Sequence, residues 1–152
     1  GSLDISLIHT GKEHCSPGHI CSIPRDEFII HFVLDGAGFY SAGGQTWSLT
    51  PGQMFIIYPN EPITYGADET YPWTYAWIGF RGIRAHALAR ECGFSKNQLV
   101  LPSPDQKLIL KSPTLLGMWT SWSFPRPLKR NSAWRRNIIN WLYKRNRNRF
   151  IK

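Results

Sequence analysis

Between positions 26 and 80 the sequence is a succession of short apolar runs, each cut off by glycine or proline. Runs this short cannot bury one face of a helix, yet each suits a single strand, so the spacing predicts an antiparallel all-β unit. Residues 27–34 form the clearest strand. They are rich in β-branched and aromatic side chains and apolar at both parities, which predicts burial on both faces. Asp35-Gly36-Ala37-Gly38 turns the chain into a second strand through Phe39-Tyr40-Ser41. Gly43-Gly44 then offers the two positive-φ positions of a tight hairpin. The return strand carries Trp47 and Leu49 on one face, and further strands are expected over residues 54–58, 63–65 and 73–80.

Past position 80 the period lengthens. Ala85, Leu88, Ala89 and Cys92 fall at offsets 0, 3, 4 and 7, one stripe of an amphipathic helix that Gly93 would stop. From residues alone the fold is mainly β, a small barrel or sandwich closed by a helix. Charge divides the chain near Gln106. The first 105 residues hold six Lys and Arg with all ten Asp and Glu, whereas residues 106–152 hold twelve Lys and Arg and no acid. We therefore expect a domain over 3–105 followed by a basic, Trp-rich tail over 106–152.

No apolar stretch approaches the roughly 18 residues of a membrane span. Three cysteines, an odd number, argue against a disulfide framework. A soluble, cytoplasmic protein with no membrane partner is expected. The chain opens Gly1-Ser2, with no Met and no basic-then-apolar leader, which predicts neither a signal peptide nor a native start but a Gly-Ser scar on an excised fragment.

Several motifs follow one another in order: Glu13-His14-Cys15-Ser16-Pro17-Gly18-His19, Arg25-Asp26 before the strand with Gly36 and Gly38, Pro51-Gly52, Pro59-Asn60-Glu61-Pro62, Tyr65-Gly66-Ala67-Asp68, and Pro72-Trp73 with Tyr75, Trp77, Ile78 and Phe80. Over residues 3–101 this series resembles the N-terminal effector-binding domain of AraC-type transcription regulators, especially members that sense plant-derived or host sugars. The resemblance implies a cupin-like double-stranded β-barrel followed by a helix. It implies a small carbohydrate effector held in that barrel, a helical dimerisation segment and hence a homodimer, and control of sugar-utilisation genes. DNA would be contacted only through a helix-turn-helix domain that these residues do not show.

Metal-binding cupins place a Glu seven residues before the Gly that closes their first motif and a His shortly after the Pro of the second. Those places here are Ile29 and Ile63, and Ser22-Ile23-Pro24-Arg25 stands where a His-x-His would lie. Isoleucine has no lone pair to give a cation, so neither a metal nor a cofactor is expected, and the domain reads as a sensor and not an enzyme. If Ile29 and Ile63 point inward, strand alternation turns His31, Val33 and Tyr65 inward too. The resemblance adds Tyr75 and Trp77, at matching parity. The expected lining is Ile29, His31, Val33, Ile63, Tyr65, Tyr75 and Trp77, in which ring faces stack on a pyranose while phenol, indole and imidazole groups pair its hydroxyls. The arginine the resemblance would supply aligns with Cys21, with Arg25 nearby.

Two other functions compete. One is a metal-dependent cupin enzyme; the other is a basic nucleic-acid-binding protein acting through the tail. His9, His14, Cys15, His19 and Cys21 crowd together, but their cysteine spacing exceeds that of zinc pairs and no second pair follows. No G-x-S-x-G elbow or glycine-rich phosphate loop is present. In the tail, Trp134, Ile138, Trp141 and Leu142 would share one face of a basic amphipathic helix suited to an anionic membrane or nucleic acid. The complete lack of acids over 106–152 favours instead a linker translated out of its original frame, and no helix-turn-helix is discernible there.

Overall fold

The computed structural model describes residues 6–103, so the tail over 106–152 and its expected helix lie outside the described residues. In chain order the elements are β1 (Ser6–His14), β2 (Ile20–Cys21), β3 (Phe28–Asp35), β4 (Gly38–Ala42), β5 (Gln45–Leu49), β6 (Gln53–Ile57), β7 (Ile63–Ala67), β8 (Thr74–Arg81), α1 (Ala85–Glu91) and β9 (Val100–Pro102). Two sheets result, one in the order β1-β8-β3-β6-β9 and the other β2-β7-β4-β5. Every ladder is antiparallel.

The expected double-stranded β-barrel is not what forms. The two sheets stay open, each ending in strands that pair on one side only among the described residues. The edges show why closure fails. β5 presents exposed Gln45, Thr46 and Ser48, and β1 presents exposed Lys12, Glu13 and His14, side chains that prefer water to a further ladder. β9 is three residues long and ends in Pro102, which has no N–H to give. The architecture is therefore two facing sheets, the sandwich alternative.

Within that frame most expected elements are present. β3 is buried from Phe28 to Leu34, as an apolar run at both parities requires. Gly43 and Gly44 take φ of 58° and 77° and join β4 to β5 as the tight hairpin the dipeptide predicts. α1 directs Ala85, Leu88 and Ala89 into the interior, with Cys92 buried just beyond its end. His86 sets its ring edge on Phe28, centroids 4.8 Å apart, tying the helix to β3. Strands β1, β2 and β9 were not foreseen.

The core lies between the sheets, and Phe55 of β6 is its centre. Its ring is stacked on His31 at 4.6 Å and on Trp73 at 5.7 Å, and meets Tyr40 and Tyr65 of the opposite sheet at 4.6 and 5.6 Å. Beside it the Tyr40 hydroxyl donates to the Ile56 carbonyl at 2.8 Å, a buried hydrogen bond from one sheet to the other. Phe55→Ala is expected to cost about 3–5 kcal/mol, because four rings would border a void that backbone ladders cannot close. Urea denaturation measures it.

Candidate functional site

Register builds the site. His31 pairs with Phe55 on one side and Trp77 on the other, and Trp77 pairs with Gly11 of β1. Two residues along, Val33, Tyr75 and Glu13 form the next row, and two residues back, Ile29, Gly79 and His9 form another. Cross-strand partners share a face, so all three rows point toward the second sheet. From that sheet Tyr65 of β7 meets them, with ring centroids 5.0 Å from His31 and 6.2 Å from Tyr75. The rows and Tyr65 leave a cavity of about 230 Å³ lined by His9, Glu13, Arg25, Ile29, His31, Tyr65, Tyr75 and Trp77.

Of the residues named from sequence, Ile29, His31, Tyr65, Tyr75 and Trp77 share this wall. Ile63 and Val33 are buried but stand outside it. His9, Glu13 and Arg25 belong to the wall without having been assigned to it. Positions 9, 11 and 13 do alternate as a strand would, but Gly11 and the charges on either side hide the signal. Arg25 stands in the loop before β3, where its carbonyl accepts from the Asn60 N–H at 2.6 Å.

Most polar atoms here already have partners. The Trp77 indole N–H donates to His9 Nδ1 at 2.8 Å, and His9 Nε2 contacts the buried Glu27 carboxylate. The Tyr75 hydroxyl donates to Glu13 at 3.3 Å. Burial pushes the Tyr65 and Tyr75 phenols well up, so both stay neutral. Two buried side-chain atoms among the described residues lack a partner, His31 Nδ1 and Arg25 Nε. Burial, reinforced by the positive charge of Arg25, lowers the His31 pKa to about 3, so this imidazole is neutral at ordinary pH. An aromatic enclosure with an unsatisfied imidazole nitrogen and an unsatisfied guanidinium N–H is suited to a small polar guest with an apolar side.

The residues suggestive of zinc do not gather. His9 faces Glu27 and Trp77, His14 Nδ1 pairs with the Thr74 hydroxyl at 2.7 Å, and His19 is exposed. Among the described residues no group of three His, Cys, Asp or Glu is placed to hold a metal ion. No helix among them is long and apolar enough to cross a membrane.

A partly enclosed, aromatic-walled cavity between two sheets defines a small-molecule-binding module. The chain belongs to the AraC-like ligand binding domain family, whose match spans residues 8–118. The family defines a binding domain, in line with the expectation of a sensor. The Msm operon regulatory protein of Streptococcus mutans is 30% identical over 116 residues, 76% of this chain and 42% of that protein. The raffinose operon transcriptional regulatory protein RafR of Pediococcus pentosaceus is 34% identical over 91 residues, 57% of this chain and 33% of that protein. The chain thus spans less than half the length of these curated relatives. Among solved structures, ToxT of Vibrio cholerae matches with a TM-score of 0.56 at 8% identity, covering 90% of this chain and 54% of that one, a likeness of fold alone.

His31 makes stability depend on pH. Its folded pKa of about 3 lies below the ordinary histidine value of 6.5, so the unfolded chain binds the proton first. Stability contributed by the neutral imidazole is complete above the unfolded pKa and declines as pH falls toward the folded one, with a limiting slope of about 1.4 kcal/mol per pH unit. Urea midpoints between pH 7 and pH 5 are expected to fall for the natural chain, and less steeply for His31→Leu.

Proposed function

We propose that this domain is the effector sensor of a bacterial AraC-type transcription regulator and that its effector is a small carbohydrate, held in the cavity between the sheets. The carrying observation is the chemistry of the wall. Trp77, Tyr75 and Tyr65 supply ring surface for the C–H side of a pyranose, and the two buried unpartnered atoms, His31 Nδ1 and Arg25 Nε, are complementary to hydroxyls. A hydroxyl both donates and accepts, so one kind of group can satisfy both atoms. At about 230 Å³ the space is below the roughly 300–1,000 Å³ of pockets for drug-sized ligands. One sugar ring inside, with any further units leaving past Glu13 and His9 at the more exposed rim, is the occupancy this size favours.

The relatives support the reading. Their names place them at an operon called Msm, a raffinose operon and, for a Staphylococcus xylosus protein 29% identical over 73 residues, a lactose operon. In the mechanism proposed here, bound sugar favours one arrangement of the β1–β2 arm and of a helical interface between two copies, altering how attached helix-turn-helix units meet DNA. Those units would lie in the part of the relatives that this chain does not match. The cytoplasm is the compartment such a regulator requires.

Titration calorimetry with a panel of mono- and oligosaccharides that includes galactose, lactose and raffinose tests the assignment. At least one sugar is expected to bind, and Trp77→Ala and Tyr75→Ala are each expected to weaken it roughly tenfold, the loss of one ring contact in an enclosed site. Heat from an unrelated metabolite alone, with every sugar silent, would overturn the carbohydrate assignment.

A further inference from the structure

Glu27 is a buried carboxylate that lines no part of the cavity, only 5% exposed, one position before β3. A buried carboxylate needs a hydrogen-bond donor, and the one it meets is His9 Nε2. On the other side of the same imidazole, Nδ1 accepts the Trp77 indole N–H at 2.8 Å. An indole N–H can only donate, so Nδ1 carries no proton; the proton of the neutral ring is on Nε2 and is donated to Glu27. The three side chains form one directional chain, Trp77 to His9 to Glu27.

The backbone beneath them is cut to fit. His9 pairs with Gly79 and Trp77 with Gly11. A Cβ at Gly11 would lie 2.2 Å from Trp77 Cζ2, and one at Gly79 would lie 2.7 Å from His9 Nε2. Each ring therefore lies down over the glycine of the neighbouring strand, which brings the two rings diagonally together with centroids 6.4 Å apart.

We propose that Glu27 and His9 are positioning residues for ligand recognition: by engaging the indole N–H they fix Trp77, so that the cavity offers its guest the ring carbons of Trp77 and not its donor. The identity of that guest rests on the carbohydrate reading above; the donor chain does not. Without Glu27 the indole N–H alone favours the Nε2–H tautomer, and an imidazole bearing its proton on Nδ1 would set two N–H groups against each other. Discrimination among hydroxyl patterns then falls to His31 and Arg25, while Trp77 recognises only the presence of an apolar sugar side.

The test is the Trp77 indole proton resonance in the full chain labelled with heavy nitrogen, assigned by its disappearance in Trp77→Phe. His9→Phe and Glu27→Leu are each expected to move it upfield and to speed its exchange with solvent roughly two- to tenfold, as for loss of one hydrogen bond. Glu27→Gln keeps a carbonyl acceptor for His9 Nε2–H and is expected to restore both values, which a purely space-filling Glu27 would not require. Glu27→Ala serves if Glu27→Leu does not fold. An unmoved resonance in His9→Phe overturns the donor chain, and one that moves there but not in Glu27→Leu overturns the role of Glu27. With lactose and raffinose as probes, the dissociation constant is expected to rise in His9→Phe and Glu27→Leu and to stay in Glu27→Gln. Unchanged affinity beside a moved resonance overturns the part played in recognition. Binding of neither sugar by the unsubstituted chain overturns the carbohydrate reading and the recognition role with it, while the resonance still decides the donor chain.

Discussion

The packing of Phe55 between the two sheets is the contact on which the rest depends. Two open sheets have no shared ladder to hold them, so their spacing is set by what lies between, and here that is a ring in contact with His31 and Trp73 on one side and Tyr40 and Tyr65 on the other. Aromatic side chains are large and have few rotamers, so such a cluster holds the sheets apart at a defined distance. The Tyr40 hydroxyl on the Ile56 carbonyl adds direction to that contact, since it is satisfied in one sheet-to-sheet register. At this central plug the interior is full. Toward Trp77 and His9 it is not, and the cavity occupies the difference.

The cavity separates polar atoms that serve the protein from those left over. Trp77, Tyr75 and His9 direct their hydrogen-bonding groups to protein partners. His31 Nδ1 and Arg25 Nε do not. Leaving a buried polar atom unpaired costs about 1–3 kcal/mol, a cost that a hydroxyl of the proposed guest would remove. Neutrality of His31 matters in the same way: a charged imidazole beside Arg25 in an aromatic enclosure would be repelled and poorly solvated, whereas a neutral one can accept or donate without a charge to compensate.

The expected closed barrel illustrates how resemblance and physics divide. Residue rhythm alone allowed either a barrel or a sandwich, and family likeness favoured the barrel. Whether sheets close depends on the outermost strands, and here polar side chains on β5, charged ones on β1 and a terminal proline on β9 leave the edges to water. β1 itself was missed because Gly11 sits where an inward apolar residue would mark a strand, and that glycine is needed by a ring on a strand more than sixty positions later.

What this chain's sequence determines by itself is local. Strands of β-branched and aromatic residues, the Gly43-Gly44 hairpin, the stripe of α1 and the shared parity of Ile29 with His31 and of Tyr75 with Trp77 follow from spacing of two or four residues and from glycine's tolerance of positive φ, while the inward sense of that parity came from the family resemblance. Only the tertiary structure decides which atoms of those residues remain available. That Trp77 gives its N–H to His9, that Glu27 stands behind it, that Arg25 joins the wall and Ile63 does not are outcomes of contacts between segments far apart in the chain. Such contacts have no period to read, because nothing in the order of residues along one strand records what its neighbour in the sheet will place opposite.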